Sequence, residues 1–235
     1  MRFERFEYKF AVDPTIAMKI RFDLASSMEI DINAKNKSGY IVHSIYFDDI
    51  YLSDFRNKQD ALLVRGKFRL RSYNQITPLN KNIFLEYKGK HGDFVIKERK
   101  IISENILDSL LSGTPLQSYY NNLSENFSFT VLKDLILRPT LKPLSIVTYN
   151  RLPLVGKIDN RIRVTFDTDI RSSGYNKNYT NFSLKPMRGG LTVIELKFCK
   201  DLPSFLHNVI KKYNLQRLSN SKAEFSFVEN GIRYV

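Results

Sequence analysis

Polar and apolar residues alternate along many short stretches of this chain. In the first, Arg5, Glu7 and Lys9 share one parity while Phe6, Tyr8 and Phe10 share the other. Successive side chains of a strand point to opposite faces, so such a pattern reads as a strand with one charged and one apolar face. The same reading predicts strands near residues 3–11, 40–48, 62–73, 82–89, 93–102, 142–151, 158–168 and 190–199. Helices fit near 14–28, 103–112, 128–137 and 203–213. The first of these has Asp13 as its N-cap and Pro14 in its first turn. Gly89-Lys90-His91-Gly92-Asp93 predicts a hairpin, and the stretch from Arg171 to Asn181, rich in Ser, Gly, Asn and Tyr, predicts a surface loop. No internal repeat, low-complexity tract or long Gly/Ser linker interrupts the chain, so a single domain over residues 1–235 is expected.

The charged faces are lopsided. Arg65, Lys67, Arg69 and Arg71 oppose Val64, Phe68 and Leu70; Glu86 and Lys88 oppose Leu85 and Tyr87; Lys97 and Arg99 share a parity. Arg161, Arg163 and Asp167 oppose Ile162, Val164 and Phe166, and Glu195 and Lys197 oppose Ile194, Leu196 and Phe198. With Arg5, Glu7 and Lys9, these faces carry 12 basic and 4 acidic residues. A sheet with one wet face accounts for alternation on any single strand. It predicts mixed signs, because like charges on neighbouring strands repel. A basic excess calls for a polyanion. Both conditions are met by an α+β fold in which an eight-stranded antiparallel sheet closes into a β-tunnel (a barrel) with flanking helices, charges inward and apolar faces beneath the helices.

Composition agrees. The formal charge is +13, which predicts an acidic partner: nucleic acid, anionic lipid or a phosphate chain. Hydrophobic residues make up 43% and charged residues 26%, ordinary for a globular protein. No apolar stretch approaches the roughly 20 residues of a membrane span, and the N-terminus lacks the apolar centre of a signal peptide. The single cysteine, Cys199, excludes an internal disulfide framework. A cytoplasmic location is expected. His43, His91 and His207 show no zinc-ligand spacing. A narrow charged lumen would not admit a duplex, and no helix-turn-helix or zinc-finger pattern is present, so no nucleic-acid partner is expected.

In order along the chain, Arg5-Phe6-Glu7-Tyr8-Lys9-Phe10, Ser44-Ile45-Tyr46-Phe47-Asp48-Asp49, Arg65-Gly66-Lys67-Phe68-Arg69-Leu70-Arg71-Ser72-Tyr73 and Phe84-Leu85-Glu86-Tyr87-Lys88 are followed by Lys97-Glu98-Arg99 and Tyr149-Asn150-Arg151. Then come Arg161-Ile162-Arg163-Val164-Thr165-Phe166-Asp167, Ile194-Glu195-Leu196-Lys197 and Ser221-Lys222. This ordered set resembles the triphosphate tunnel metalloenzymes, and within them the VTC-type polyphosphate polymerase domain. Arg5 stands where the hydrolase and cyclase branch opens a Glu-x-Glu-x-Lys motif, leaving Glu7 in register, and this departure favours the polymerase branch.

The resemblance implies a metal-dependent ATP:polyphosphate phosphotransferase that passes the γ-phosphate of ATP to a growing polyphosphate chain. Its alternatives are a triphosphatase of the same fold and a non-catalytic polyphosphate-binding module. It implies a phosphate cradle of Lys9, Lys67, Arg69, Arg71, Lys88, Arg151, Arg163, Lys197 and Ser221, with Lys67, Lys97 and Arg99 lining a tunnel mouth. Arg69 and Arg71, two residues apart, suit successive phosphates because guanidinium offers forked donors. Lys222 either stabilises the reacting phosphate together with Arg69 and Arg71 or is a solvated helix-end lysine. Glu195 is the candidate ligand for Mn²⁺ or Mg²⁺, since hard ions in such sites take one or two carboxylates plus phosphate and water oxygens. Glu7 and Glu86 either assist it or only pair with neighbouring cations. Asp167 reads as an ion-pair partner, and Tyr46-Phe47-Asp48 as packing and strand termination. The partners implied are ATP and polyphosphate, with room for a membrane protein acting in trans.

Overall fold

A computed structural model describes residues 5–34, 38–73, 82–92, 94–112, 114–124, 127–176, 183–218 and 222–232. Its strands are β1 (Arg5–Val12), β2 (Met28–Ile30), β3 (Tyr40–Asp48), β4 (Val64–Ser72), β5 (Phe84–His91), β6 (Phe94–Ile101), β7 (Lys142–Gly156), β8 (Arg163–Gly174), β9 (Lys185–Pro186) and β10 (Thr192–Cys199). The helices are α1 (Pro14–Leu24), α2 (Ser53–Gln59), α3 (Glu104–Leu111), α4 (Tyr120–Ser124), α5 (Phe129–Ile136), α6 (Ser204–Lys212) and α7 (Lys222–Glu229). Hydrogen-bonded neighbours follow the order β1-β10-β8-β7-β3-β4-β5-β6, with β2 on β7 and β9 on β8.

The α+β class and the antiparallel sheet match expectation, and the path holds eight strands. Among the described residues its end strands, β1 and β6, are not hydrogen-bonded to each other, so hydrogen bonds leave the sheet open where a closed barrel was expected. The outer side of β1 is met instead by the chain after α6: Phe10 bridges Arg217, and the Leu218 N–H donates to the Lys9 carbonyl at 2.7 Å.

The seventh predicted strand is displaced. β8 starts at Arg163 because residues 159–162 close a tight turn, in which the Asp159 carboxylate accepts from the Arg161 N–H at 2.9 Å and the Asp159 carbonyl accepts from the Ile162 N–H at 3.1 Å. Arg161 therefore leaves the charged strand face and pairs with Asp159 at 2.8 Å. β8 then runs on to Gly174, so Arg171 to Gly174 are strand where a loop was expected; residues 177–181 of that predicted loop lie outside the described residues. The hairpin at residues 89–93 forms between β5 and β6, its turn carried by Gly92 at φ +60°, while Asp93 lies outside the described residues.

The chain divides into two compact units. The first comprises Met1–Ile41, Thr148–Arg171 and Pro186–Ser221. In it the apolar faces of β1, β8 and β10 (Phe10, Val164, Phe166, Ile194, Leu196) pack with Ala17, Ile20 and Leu24 of α1 and Leu206 and Val209 of α6. The α1 N-terminus is capped as expected, Asp13 accepting from the Thr15 N–H at 2.7 Å. The second unit comprises Val42–Val147, Ser172–Lys185 and Lys222–Val235. Its core sets Ile45, Phe47, Phe68, Leu70, Leu85 and Tyr87 of β3–β5 against Leu107, Leu110 and Leu111 of α3 and Val131 and Leu135 of α5. Gly66 and Gly89 are register partners beneath the Tyr87 ring, and a Cβ at Gly66 would lie 2.1 Å from the tyrosine oxygen, so that ring packs only over glycine. Burying one face of each sheet fixes which residues remain on the other.

Candidate functional site

In the second unit, strand register stacks the charged residues in cross-strand rows. Arg65 lies opposite Lys90, Lys67 opposite Lys88, Arg69 opposite Glu86, and Lys88 in turn opposite Lys97, Glu86 opposite Arg99. One face of β4–β6 thus carries eight cations (Arg65, Lys67, Arg69, Arg71, Lys88, Lys90, Lys97, Arg99) and one acid, Glu86. The middle row, Lys67-Lys88-Lys97, places three ammonium groups on directly opposed positions. Like charges so placed cost stability.

Glu86 holds the next row together. It accepts from Arg69 Nε at 2.6 Å and lies 3.7 Å from Arg71 and 3.4 Å from Arg99. Burial alone would raise its pKa, but Arg69, Arg71 and Arg99 outweigh it and hold the carboxyl below its usual range. Arg99 also lies over the Phe84 ring at 3.5 Å, which fixes its plane. A carboxylate ringed by three guanidinium groups serves as a counterion and is poorly suited to a metal.

β3 adds residues to this face. Tyr46 is opposite Arg69 and Ser44 opposite Arg71, while Ile45 and Phe47 point into the core. Burial would raise the Tyr46 pKa, yet Arg69, Arg71, Lys67 and Lys222 together bring it below its ordinary value. Tyr46 is thus the meeting point of four cations, one of them delivered from the first residue of α7. Lys222 sits where the helix dipole is positive, an arrangement that disfavours a cation. α7 is nevertheless pinned: Lys58 Nζ donates to both Glu224 oxygens at 2.6 and 2.7 Å, Ser145 and Ser226 hydroxyls lie 2.8 Å apart, and Asn230 donates to Ser172 at 2.9 Å. The Ser44 hydroxyl is buried with no hydrogen-bond partner among the described residues. Ser221 lies outside the described residues.

The Tyr46-Phe47-Asp48 motif therefore divides its tasks. Phe47 packs in the core, and Asp48 ends the strand by accepting from the N–H groups of Asp49, Asp54 and Phe55 at 2.9, 3.0 and 3.1 Å. Burial raises the Asp48 pKa to about 6 despite these bonds. Tyr46 faces the cations, a role that its parity with Ser44, opposite Ile45 and Phe47, was sufficient to signal.

In the first unit the charges are balanced. Glu195 is buried (7% exposed) and surrounded by Lys197 at 3.2 Å, Arg151 at 3.6 Å and Lys9 at 3.9 Å. Lys9 also pairs with Glu7 at 2.9 Å. Arg151 donates from Nε and Nη2 to the two oxygens of Asp167, each at 2.6 Å, and Asp167 is fully buried. Burial would lower the Arg151 pKa, but Asp167, Tyr149 and Glu195 carry it well above its usual value. Gly39, at φ +94°, lets a loop pass against the Arg151 backbone, where a Cβ would lie 2.2 Å from the carbonyl oxygen. Arg163 lies opposite Lys197, half-exposed, with Asp31 at 3.6 Å. The Thr165 hydroxyl, opposite Glu195, is buried with no hydrogen-bond partner among the described residues.

Among the described residues no three His, Cys, Asp or Glu side chains gather as a metal cage. The donor set here is one buried carboxylate, Glu195, with Glu7 next to its lysine and an unsatisfied hydroxyl at Thr165. That set fits a hard ion arriving with phosphate oxygens and suits a tightly held structural metal poorly.

The first unit thus brings together Glu7, Lys9, Arg151, Asp167, Glu195 and Lys197, and the second Lys67, Arg69, Arg71, Glu86, Lys88, Arg99 and Lys222. Sequence reasoning passed over Ser44, Asp31 and Thr165, and it assigned Tyr46 to packing.

The scaffold is an antiparallel α+β sheet protein that aligns cations across strands while burying the opposite face. A family model described as the VTC domain matches residues 4–227, and the chain belongs to that family. No curated protein matches. Among solved structures, the chain is similar to a putative adenylyl cyclase from Hippeastrum, HpAC1, described as having a dominant triphosphatase activity, at 12% identity and TM-score 0.51 over 97% of this chain and 96% of that one. It is also similar to the PH1819 protein from Pyrococcus horikoshii OT3, at 15% identity and TM-score 0.47 over 96% of this chain and 99% of that one. Among the described residues no helix is long and apolar enough to cross a membrane.

Proposed function

We propose that this chain is a polyphosphate polymerase, a single domain over residues 1–235 whose sheet closes into a tunnel around a phosphate chain. The terminal oxygen of the growing chain attacks the γ-phosphorus of ATP, the bond from that phosphorus to the bridging oxygen breaks, and ADP leaves with the oxygen. Arg69, Arg71 and Lys222 neutralise the transferring phosphoryl group, a task that dominates such chemistry. Lys9, Lys67, Lys88, Arg151, Arg163, Lys197 and Ser221 hold the rest of the phosphates. Glu195, with Glu7 beside it, holds Mn²⁺ or Mg²⁺ when bound; the ion supplies charge neutralisation on the phosphates. Glu86 acts as a counterion. The single cysteine, Cys199, supports a cytoplasmic, reducing location.

The carrying observation is the row of Lys67, Lys88 and Lys97. A wet sheet face avoids three opposed ammonium groups, and a linear polyanion lying across the strands offsets their repulsion. The activity described for the Hippeastrum protein favours a second reading, triphosphate hydrolysis on the same scaffold.

Purified protein incubated with ATP and Mn²⁺ or Mg²⁺ should yield polyphosphate visible on a gel. Glu195→Gln and Arg69→Ala should each lower the rate by about 10²–10³-fold. Full activity in both variants would overturn the site. Phosphate release from tripolyphosphate without chain growth would establish the second reading, and tight polyphosphate binding without turnover would reduce the chain to a binding module.

A further inference from the structure

At the hairpin end of the second unit, the basic rows terminate in an exposed apolar tip. Leu62, Leu63, Val64, Phe94 and Val95 are 45%, 69%, 60%, 64% and 57% exposed. Register makes them one patch: Val64 is opposite His91, His91 opposite Phe94, and the Leu63 carbonyl accepts from the Gly92 N–H at 2.9 Å. Neighbouring residues on a strand point to opposite faces, yet both Phe94 and Val95 of β6 are exposed, and Leu62 and Leu63, just before β4, are exposed beside Val64. The tip therefore projects on both faces rather than forming one wall of a groove. Directly behind it stands the row Arg65-Lys90-Val95, followed by Lys67-Lys88-Lys97.

We propose that this tip is a membrane-docking element that inserts into an anionic bilayer surface. A convex apolar tip backed by cations has the two properties of an interfacial anchor: apolar side chains to enter the acyl boundary and ammonium or guanidinium groups at headgroup level. Each such cation adds attraction to an anionic leaflet. A second copy of the chain is a worse occupant, because a two-fold contact through the tip would set Arg65 and Lys90 against themselves. The proposal is independent of the reaction catalysed.

The chain contains no tryptophan, so Phe94→Trp installs a single reporter. With vesicles of phosphatidylcholine and phosphatidylglycerol, its emission should shift to the blue and be quenched by lipids brominated in the acyl chain. Wild-type protein should cosediment with these vesicles at least about tenfold more tightly than with phosphatidylcholine alone, since several cations contribute. Leu63→Ser with Phe94→Ser should remove that binding while leaving polyphosphate synthesis in solution and the thermal melt unchanged. No cosedimentation at low salt, or an unshifted tryptophan signal from the vesicle-bound Phe94→Trp variant, would overturn the proposal. So would concentration-dependent self-association that the double variant abolishes without any vesicle binding, which assigns the tip to a second copy.

Discussion

The two units carry charged clusters of opposite design. Around Glu195 four cations (Lys9, Arg151, Arg163, Lys197) meet four acids (Glu7, Asp31, Asp167, Glu195), and the most buried cation, Arg151, has both Asp167 oxygens in hand. The first cluster matches cations with acids in equal number; the second, on β4–β6, sets eight cations against one acid across its strand rows. Removing a cation should therefore do opposite things in the two places.

The largest effect is expected at Arg151. Arg151→Ala leaves the Asp167 charge buried without its partner, which costs about 3–5 kcal/mol. A loss under about 1 kcal/mol in urea titration would show that the first cluster is as loosely coupled as a surface pair.

Asp48 tests whether the second unit also tolerates uncompensated negative charge. Its folded pKa of about 6 exceeds its unfolded value near 3.8, so the folded state binds the proton more tightly and the ionised form is disfavoured. The penalty is absent below the unfolded pKa and grows as pH rises to about 6. Asp48→Asn removes it at the expense of one accepted hydrogen bond. Relative to wild type, the variant's stability should gain about 3 kcal/mol between about pH 3 and pH 7. A pH-independent difference in melting would place the carboxylate in a wetter setting.

At the cation face the changes are smaller. Tyr46→Phe keeps the ring and removes the phenol among Arg69, Arg71, Lys67 and Lys222. Polyphosphate affinity should fall about three- to tenfold, the net value of one ordinary hydrogen bond, with little change in the melt. Lys88→Gln is the sharpest contrast with Arg151→Ala. It should stabilise the ligand-free protein by about 0.5 kcal/mol through relief of the lysine row, while weakening polyphosphate binding and flattening its salt dependence. Destabilisation by Lys88→Gln would erase the distinction between the clusters.

Much of this was legible in the alternation pattern. Phe68, Leu70, Leu85 and Tyr87 are buried, and Arg65, Lys67, Arg69 and Lys88 lie on the other face. Short elements were not legible: β2 has three residues and α2 seven, too few for periodicity to stand out. The start of β8 was misplaced because the Asp159–Arg161 turn interrupts an otherwise strand-like pattern.

Local pattern assigned residues to faces, because a strand's period of two is a property of the chain itself. It also fixed the excess of positive charge and the residue types available to meet an anion. Which cations stand opposite an acid and which stand opposite another cation was decided by register, as for Arg69 opposite Glu86 and Lys67 opposite Lys88. Lys222 joins Tyr46 and Arg69 through the packing of α7 against Lys58, Ser145 and Ser172, contacts between residues dozens to more than a hundred positions apart. No periodicity along the chain encodes such a meeting; only the packed structure brings it about.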